Sequence, residues 1–364
     1  MMDVTAALSR HPEEPFALER VTLDVPREGE VLVRMVASGI CHTDLHYRSV
    51  LPPAGGPYVL GHEGAGVVEG TGPGVTGIRP GDRVVLSYRH CGDCSHCRAG
   101  RVAYCTRLGE LNAPGPRPDG THTLHQDGTP VAGTFFGQSS FATHALASVD
   151  NTVVVNPDTD LVTAAPLGCG VQTGAGSVLN VLRPQRSSSF VVYGAGAVGC
   201  AALMAARAEE VGTIVAVDPV PARRELALRL GATAALDPGA VDVVEAVREL
   251  TGGGASHALD TSGLPSVIAE AALALGRAGT LVLVGLGKPQ LTVDVDDIMR
   301  GGKTLRGCIE GDARPHEFIP RLLEMRAKGL LPLEEITTAY PFAEIDRAAA
   351  DSRSGVTVKP VLVF

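Results

Sequence analysis

The first third of the chain carries short runs of β-branched and aliphatic residues broken by glycine and proline: EVLVRMVASGI, HEGAGVVEG and DRVVLS. Runs of this length between turn residues predict short antiparallel strands. From about residue 174 the rhythm changes. Phe190–Tyr193 reads as a short buried strand, Gly199–Ala208 as an alanine-rich helix, Thr213–Val217 as a second strand and Ala222–Leu230 as a second helix. Strands at His257–Asp260 and Thr280–Val284 then alternate with helices at Val241–Leu250 and Ser266–Leu275. Strands alternating with helices of about ten residues predict a parallel, doubly wound sheet, an α/β fold. A helix at Glu317–Lys328 and a strand near Thr357–Phe364 form a short return segment. This order predicts a β-rich domain of residues 1–173 and 314–364, with a doubly wound domain of residues 174–313 inserted in it. There is no internal repeat and no low-complexity tract.

Length and composition agree with that division. A chain of 364 residues exceeds the size at which one core stops growing. Hydrophobic residues at 45% are enough for well-formed cores, which argues against disorder. The net charge of −9 argues against nucleic acid or an anionic membrane as partner. No stretch is apolar and long enough to span a bilayer, and the N-terminus lacks the basic-then-apolar layout of a secretory signal. A cytoplasmic protein is therefore expected, and in that reducing setting the eight cysteines point to metal rather than to disulfides.

Four of them, Cys91, Cys94, Cys97 and Cys105, fall within fifteen residues. Four thiolates close a tetrahedral shell around Zn²⁺ and leave no open position, which makes such a site structural. An iron–sulfur cluster is the rival, since three cysteines at this spacing open a ferredoxin-like run; here the fourth follows after seven residues, and zinc is preferred. A nucleic-acid-binding zinc module is disfavoured, because basic and aromatic residues do not interleave in the loop. His90 and His96, which flank the cluster, are read as exposed loop residues.

Two further segments, Gly39-Ile-Cys-His-Thr-Asp-Leu-His46 and Gly61-His-Glu-Gly-Ala-Gly66, concentrate thiol, imidazole and carboxylate. Cys41 and His62 are too far apart for a local motif, and only the fold could join them to Cys169. Two thiolates and one imidazole would leave zinc one open position, as a catalytic site requires. Gly194-Ala-Gly-Ala-Val-Gly199 follows a predicted strand and opens a predicted helix, the context in which a glycine-rich turn cradles a dinucleotide pyrophosphate. Asp218 ends the next strand, where a carboxylate suits ribose hydroxyls and repels a 2′-phosphate, favouring NAD over NADP. Cys200 and Cys308 are read as small buried hydrophobes.

The segments GICHTDLH, GHEGAGVVE, the four-cysteine loop, PLGCGVQTGAG and YGAGAVG, in this order and at these separations, resemble the zinc-containing medium-chain alcohol dehydrogenases. The resemblance implies a GroES-like β-rich catalytic domain and a Rossmann cofactor domain, two Zn²⁺ per subunit and NAD. It implies that Cys41, His62 and Cys169 bind catalytic zinc, with Asp44 fixing the tautomer of His62 and Glu63 behind the metal, aiding ligand exchange. Thr43 would hold the substrate hydroxyl and His46 would end a proton relay that runs through the cofactor ribose. Gly194, Gly196, Gly199, Val198, Thr173, Asp218 and Arg223 match cofactor positions. His42 and Lys359 match positions near the pyrophosphate, where animal enzymes carry arginine; outside the family Lys359 reads as a solvated charge. Phe135, Phe136 and Leu286 match positions lining the substrate pocket, and an aromatic pair favours flat aryl or allylic primary alcohols. The Glu310–Pro320 segment is similar to the aryl-alcohol branch.

The rivals are an NADP-linked biosynthetic aldehyde reductase, a thiol-adduct formaldehyde dehydrogenase and a non-enzymatic zinc-binding regulatory protein. The long loop between Cys105 and Phe135 resembles that of the dimeric branch. It implies a homodimer, paired through edge strands near Thr280–Gly285 and Thr304–Cys308.

Overall fold

The computed structural model describes residues 1–364, the side chain of Pro53 excepted. The chain forms two compact units: residues 1–169, 314–323 and 333–364 make the first, and residues 170–313 and 324–332 the second.

The first unit is built on two sheets. A five-stranded sheet runs in the order Tyr58–Val59, Met2–Ser9, Ala17–Leu23, Leu124–Gln126 and Thr129–Val131. A seven-stranded sheet runs Thr152–Val155, Arg83–Leu86, Glu63–Thr71, Glu30–Gly39, Lys359–Val363 and Thr337–Pro341, with His144–Ser148 also paired to Glu30–Gly39. The strand Glu30–Gly39 alternates as a half-covered strand should. Val31, Val33 and Met35 point into a core shared with Val68, Val84 and Leu86, while Arg34 is exposed. Its register decides the site, because Gly39 faces Glu63 on one side and Val361 on the other. The strand Thr337–Pro341 and the helix Ile345–Ser354 were not singled out by the sequence pattern; the strand's apolar content is low and it gains its place by pairing in parallel with Lys359–Val363.

The second unit carries six parallel strands in the order Ala234–Leu236, Thr213–Val217, Ser189–Tyr193, Ala255–Asp260, Leu275–Leu283 and Thr304–Gly307. Numbered along the chain this is 3-2-1-4-5-6, the doubly wound order, with the reversal beside Ser189–Tyr193. Phe190, Val191, Val192 and Tyr193 are all buried, as parallel strands covered on both faces require. The sequence pattern passed over Ala234–Leu236, a three-residue strand, and the helix Val295–Gly301. One expectation is corrected. Leu275–Leu283 lies inside the sheet, paired on both sides, and of the two strands expected at an edge only Thr304–Gly307 is one. No helix among the described residues is long and apolar enough to cross a membrane.

Candidate active site and metal centres

The helix His42–Val50 begins where the strand Glu30–Gly39 ends, and its first turn is assembled around Asp44. Cys41 is the N-cap in extended conformation, and its backbone N–H donates to Asp44 Oδ2 at 2.9 Å. Asp44 Oδ1 accepts from Gly61 N at 3.0 Å and from His62 Nδ1 at 2.8 Å. One fully buried carboxylate thus fixes the backbone of Cys41, the turn before His62 and the imidazole itself. Gly61 has φ +89°, and a Cβ there would lie 2.5 Å from Phe141 N, so the turn that presents His62 accepts only glycine.

Cys41, His62, Glu63 and Cys169 are all buried, and their ligand atoms lie within 4.8 Å of one another. His62 Nε2 has no hydrogen-bond partner although it is buried, while Nδ1 is held by Asp44. A buried lone pair facing two cysteine sulfurs is the donor set Zn²⁺ takes, so the residues fit the metal. The Cys41 thiol is held well below the usual range by the hydrogen bond from Cys169, against burial and with help from the Lys359 ammonium. Cys169 is placed by its neighbours: Ser87 Oγ donates to Gly168 O at 2.7 Å, and Gln138 Nε2 bridges Ser87 O and His62 O at 3.0 Å each. Sequence reasoning missed Ser87 and Gln138. Their partners are distant along the chain, and polar residues of these types carry no local signal.

Lys359 stands elsewhere than the sequence expected. It is only 2% exposed, and Nζ donates to both Glu63 carboxylate oxygens at 2.9 Å and to Ile40 O at 3.2 Å. All three ammonium hydrogens are aimed at protein oxygens, so Lys359 is neither a solvated charge nor free to hold a pyrophosphate. Burial pushes the Glu63 carboxyl up to about 7 despite the adjacent ammonium. Burial opposes the charge on Lys359, but Glu63 and Cys41 outweigh it and hold the ammonium above its ordinary range.

Thr43 and His46 lie three residues apart on the helix His42–Val50, hence on one face, and both are half-buried; Thr43 Oγ1 is 3.8 Å from Cys41 Sγ. His42 is exposed at the first helical position. Phe135 packs edge-on against His62 with centroids 5.4 Å apart, and Phe136 lies tilted over the same ring at 4.5 Å. Phe135 is wholly buried, so it backs the imidazole and offers a substrate no surface; Phe136 is half-buried. Leu286, in the second unit, is 46% exposed.

The four-cysteine loop closes as its spacing predicts. The sulfurs of Cys91, Cys94, Cys97 and Cys105 lie within 4.8 Å of one another, and none is in a disulfide. Backbone N–H groups of Cys91, Cys94, Cys97 and Arg107 donate to the sulfurs at 3.3–3.5 Å. The N–H of Cys97 pulls the Cys94 thiol down to about 5, whereas burial pushes Cys97 up to about 12. Four simultaneous thiolates therefore require a cation, and the set fits Zn²⁺. His90 and His96 are half-buried instead of exposed; His96 sits in the short helix Ser95–Arg98, and the His90 backbone N–H donates to Asp150.

In the second unit, Gly194 adopts φ +97° at the end of Ser189–Tyr193, and Gly196 caps the helix Ala197–Ala208 without a side chain on its N-terminal N–H groups. A Cβ on Gly199 would meet Gly194 O at 1.9 Å, whereas one on Gly196 would meet open space. Close packing behind and an open, uncapped helix end in front fit a pyrophosphate. Asp218 is buried, its two oxygens accepting at 2.8 Å from Ala195 N and Val220 N, so it ties the glycine turn to the next strand. Arg223 Nη1 is 3.9 Å from the same carboxylate. Val198 is half-buried and Thr173 nearly buried. Cys200 and Cys308 are buried, and burial pushes both thiols up to about 12, as small core residues.

Comparison with known proteins agrees with this chemistry. Residues 27–157 match the alcohol dehydrogenase GroES-like domain, and residues 197–328 match the zinc-binding dehydrogenase family. The geraniol dehydrogenase of Castellaniella defragrans is 45% identical over 99% of this chain and 97% of its own length. An alcohol dehydrogenase zinc-binding domain protein from Burkholderia ambifaria superposes with a TM-score of 0.97 at 48% identity, covering 100% of this chain and 99% of that one. The benzyl alcohol dehydrogenase of Acinetobacter calcoaceticus gives 0.96 at 42% identity, with 100% of both chains covered. With two cysteine-centred metal sites, a doubly wound sheet and relatives matched along its whole length, the chain belongs to the zinc-containing medium-chain alcohol dehydrogenases and is a zinc-dependent alcohol oxidoreductase.

Proposed function

We propose that this enzyme reversibly transfers hydride between a primary aryl or allylic alcohol and NAD, with one catalytic and one structural Zn²⁺ in each subunit. The observation that carries the reading is the buried His62 Nε2, unpartnered and facing Cys41 and Cys169 while Asp44 holds the opposite nitrogen. Zinc bound there would supply Lewis-acid polarisation of an alcohol oxygen, and NAD would accept the hydride.

The chain's own residues do the rest. Asp44 keeps the proton on Nδ1 and the lone pair on Nε2. Thr43 orients the substrate hydroxyl and gives up its own proton as it accepts the substrate's, and His46, one helical turn on, would end the relay that runs through the cofactor ribose. The first unit is the catalytic domain and the second the cofactor domain. Gly194, Gly196 and Gly199 seat the pyrophosphate, Asp218 binds the adenosine ribose with Arg223 beside it, and Val198 and Thr173 pack on the nicotinamide half. Phe136 supports flat substrates, as does the fact that two relatives are named for geraniol and benzyl alcohol, one allylic and one aryl.

The enzyme is expected to act in the cytoplasm on small molecules, without nucleic acid or membrane, as a homodimer. The exposed edge strand Thr304–Gly307, beside exposed Val295, Met299 and Ile309, supports pairing of two copies there. Light scattering that gives a monomer or a tetramer overturns the dimer.

Steady-state kinetics with NAD and NADP across benzyl alcohol, geraniol, ethanol and a thiol–formaldehyde adduct test the reaction. The highest kcat/KM is expected for benzyl alcohol or geraniol with NAD, and Asp218→Ser should move the preference toward NADP. Higher values for ethanol or the adduct would refute the substrate class, and a wild-type preference for NADP would refute the cofactor.

A further inference from the structure

Two arginines stand side by side near the N-terminus of the helix Pro221–Leu230, where the helix dipole disfavours cations. They turn to different partners. Arg223 lies beside the Asp218 carboxylate. Arg224 Nη1 donates to the backbone O of Asp218 at 2.8 Å, and its Nη2 pairs with Asp237 Oδ2 at 2.8 Å. Both members of that ion pair are half-buried.

The guanidinium closes a gap that the sheet leaves open. Backbone pairing between Thr213–Val217 and Ala234–Leu236 ends at Val217 and Leu236. Just beyond it the Asp218 N–H donates to Leu236 O at 3.2 Å, and Arg224 joins the Asp218 carbonyl to the Asp237 carboxylate. Asp237 is itself fixed, since its Oδ1 accepts from Gly239 N at 2.9 Å. The backbone of Asp218 is thus held at both N–H and C=O. Its carboxylate accepts from Val220 N and from Ala195 N, and Ala195 lies inside the glycine turn. A shift of Asp218 is therefore passed on to that turn. Arginine suits the task because its planar fork reaches a carbonyl and a carboxylate at once, whereas a lysine ammonium is one point on a flexible stem.

We infer that Arg224 is a positioning residue for cofactor binding: by tying the Asp218 carbonyl to Asp237, it holds the Asp218 carboxylate where the adenosine ribose meets it. This rests on the reading above, in which Asp218 binds that ribose. Two ribose hydroxyls need a carboxylate at a set distance and angle, because hydrogen bonds weaken steeply once misaligned. Asp218 lies past the last paired residue of its strand, so the sheet ladder does not supply that precision, and the guanidinium does. Arg224 needs no contact with the cofactor for this. Its charge is met by Asp237, which sets it apart from Arg223 beside the Asp218 carboxylate.

The test is a double-mutant cycle on binding by the zinc-loaded enzyme, with calorimetry for ADP-ribose, which lacks the nicotinamide, and fluorescence titration for NADH. Arg224→Lys keeps the charge and loses the fork. In the wild-type background it should raise both dissociation constants about tenfold. In the Asp218→Ser background no carboxylate is left to position, so the same change should move them by less than about twofold. Unchanged constants in Arg224→Lys overturn the inference. So does an equal loss in both backgrounds, which is the result expected of a residue that touches the cofactor itself or only supports the fold. Asp237→Asn, which weakens the same fork at a half-buried position, should raise both constants about threefold and add little to Arg224→Lys. It also decides the matter where Arg224→Lys does not fold, since wild-type constants in Asp237→Asn then overturn the inference. If Asp218→Ser alone binds ADP-ribose as the wild type does, the ribose reading itself fails, and the inference falls with it.

Discussion

Lys359 shows how a buried charge is tolerated only in company. Its ammonium and the Glu63 carboxylate lie 2% and 0% exposed, and each supplies what the other lost on leaving water. Lys359→Met removes the cation and leaves a buried carboxylate beside the thiols of the metal site. A loss of about 3–5 kcal/mol is expected for breaking such a pair, measured by denaturant unfolding of the zinc-loaded protein at mildly alkaline pH, where Glu63 is ionised. The Glu63 carboxyl, already pushed up to about 7 by burial, takes a proton in mildly acidic buffer, so the loss should shrink there. The double variant Lys359→Met/Glu63→Gln should recover most of it. Equal destabilisation of the single and double variants would show that the pair is not what holds this corner together.

The strand–turn–helix from Ser189 to Ala208 was legible because its signals are local. An apolar run, three glycines and an alanine-rich stretch follow one another in the order the backbone needs. The four-cysteine loop was legible for the same reason. The geometry adds why the last glycine admits no side chain: Gly199 packs against Gly194 O. Gly199→Ala should therefore displace the turn and weaken NADH binding by at least tenfold, seen by fluorescence titration, whereas Gly196→Ala, whose Cβ meets open space, should leave the fold's melting temperature unchanged. Loss of melting temperature in Gly196→Ala would contradict that distinction. Elements defined by pairing alone were not legible. Thr337–Pro341 and Ala234–Leu236 are strands because a neighbour offers them hydrogen bonds, and neither carries a strong period of its own.

Across the first unit, the loop after Cys105 is tied down by Arg117, which is 7% exposed and pairs with Asp24 at 3.0 Å and Glu30 at 2.6 Å, more than eighty residues away. Burial works against ionised Asp24, but Arg117 and Arg27 outweigh it and hold the carboxyl below its ordinary range. A depressed folded-state pKa gives stability that is complete above the unfolded value and disappears as pH falls through the folded one. The wild type should therefore exceed Asp24→Asn in urea midpoint near neutral pH, and the gap should close in acid below the usual aspartate range of about 4. A gap that persists at low pH would assign the effect to packing instead of charge.

What the sequence determined by itself was everything carried by neighbours along the chain: the α/β class, the glycine turn, the cysteine loop and Asp218 at its strand end. It also identified Cys41, His62 and Cys169, but through the resemblance of several segments together, since no spacing rule joins residues so far apart. Only the tertiary structure decided which atoms meet. It set Lys359 on Glu63 across 296 residues, turned Phe135 inward behind His62, and pointed Glu310 at Thr173. The reason is physical. Local backbone preference is written in a few consecutive residues, whereas the partner of a buried charge or ring is fixed by strand register and close packing, which no short stretch of sequence contains.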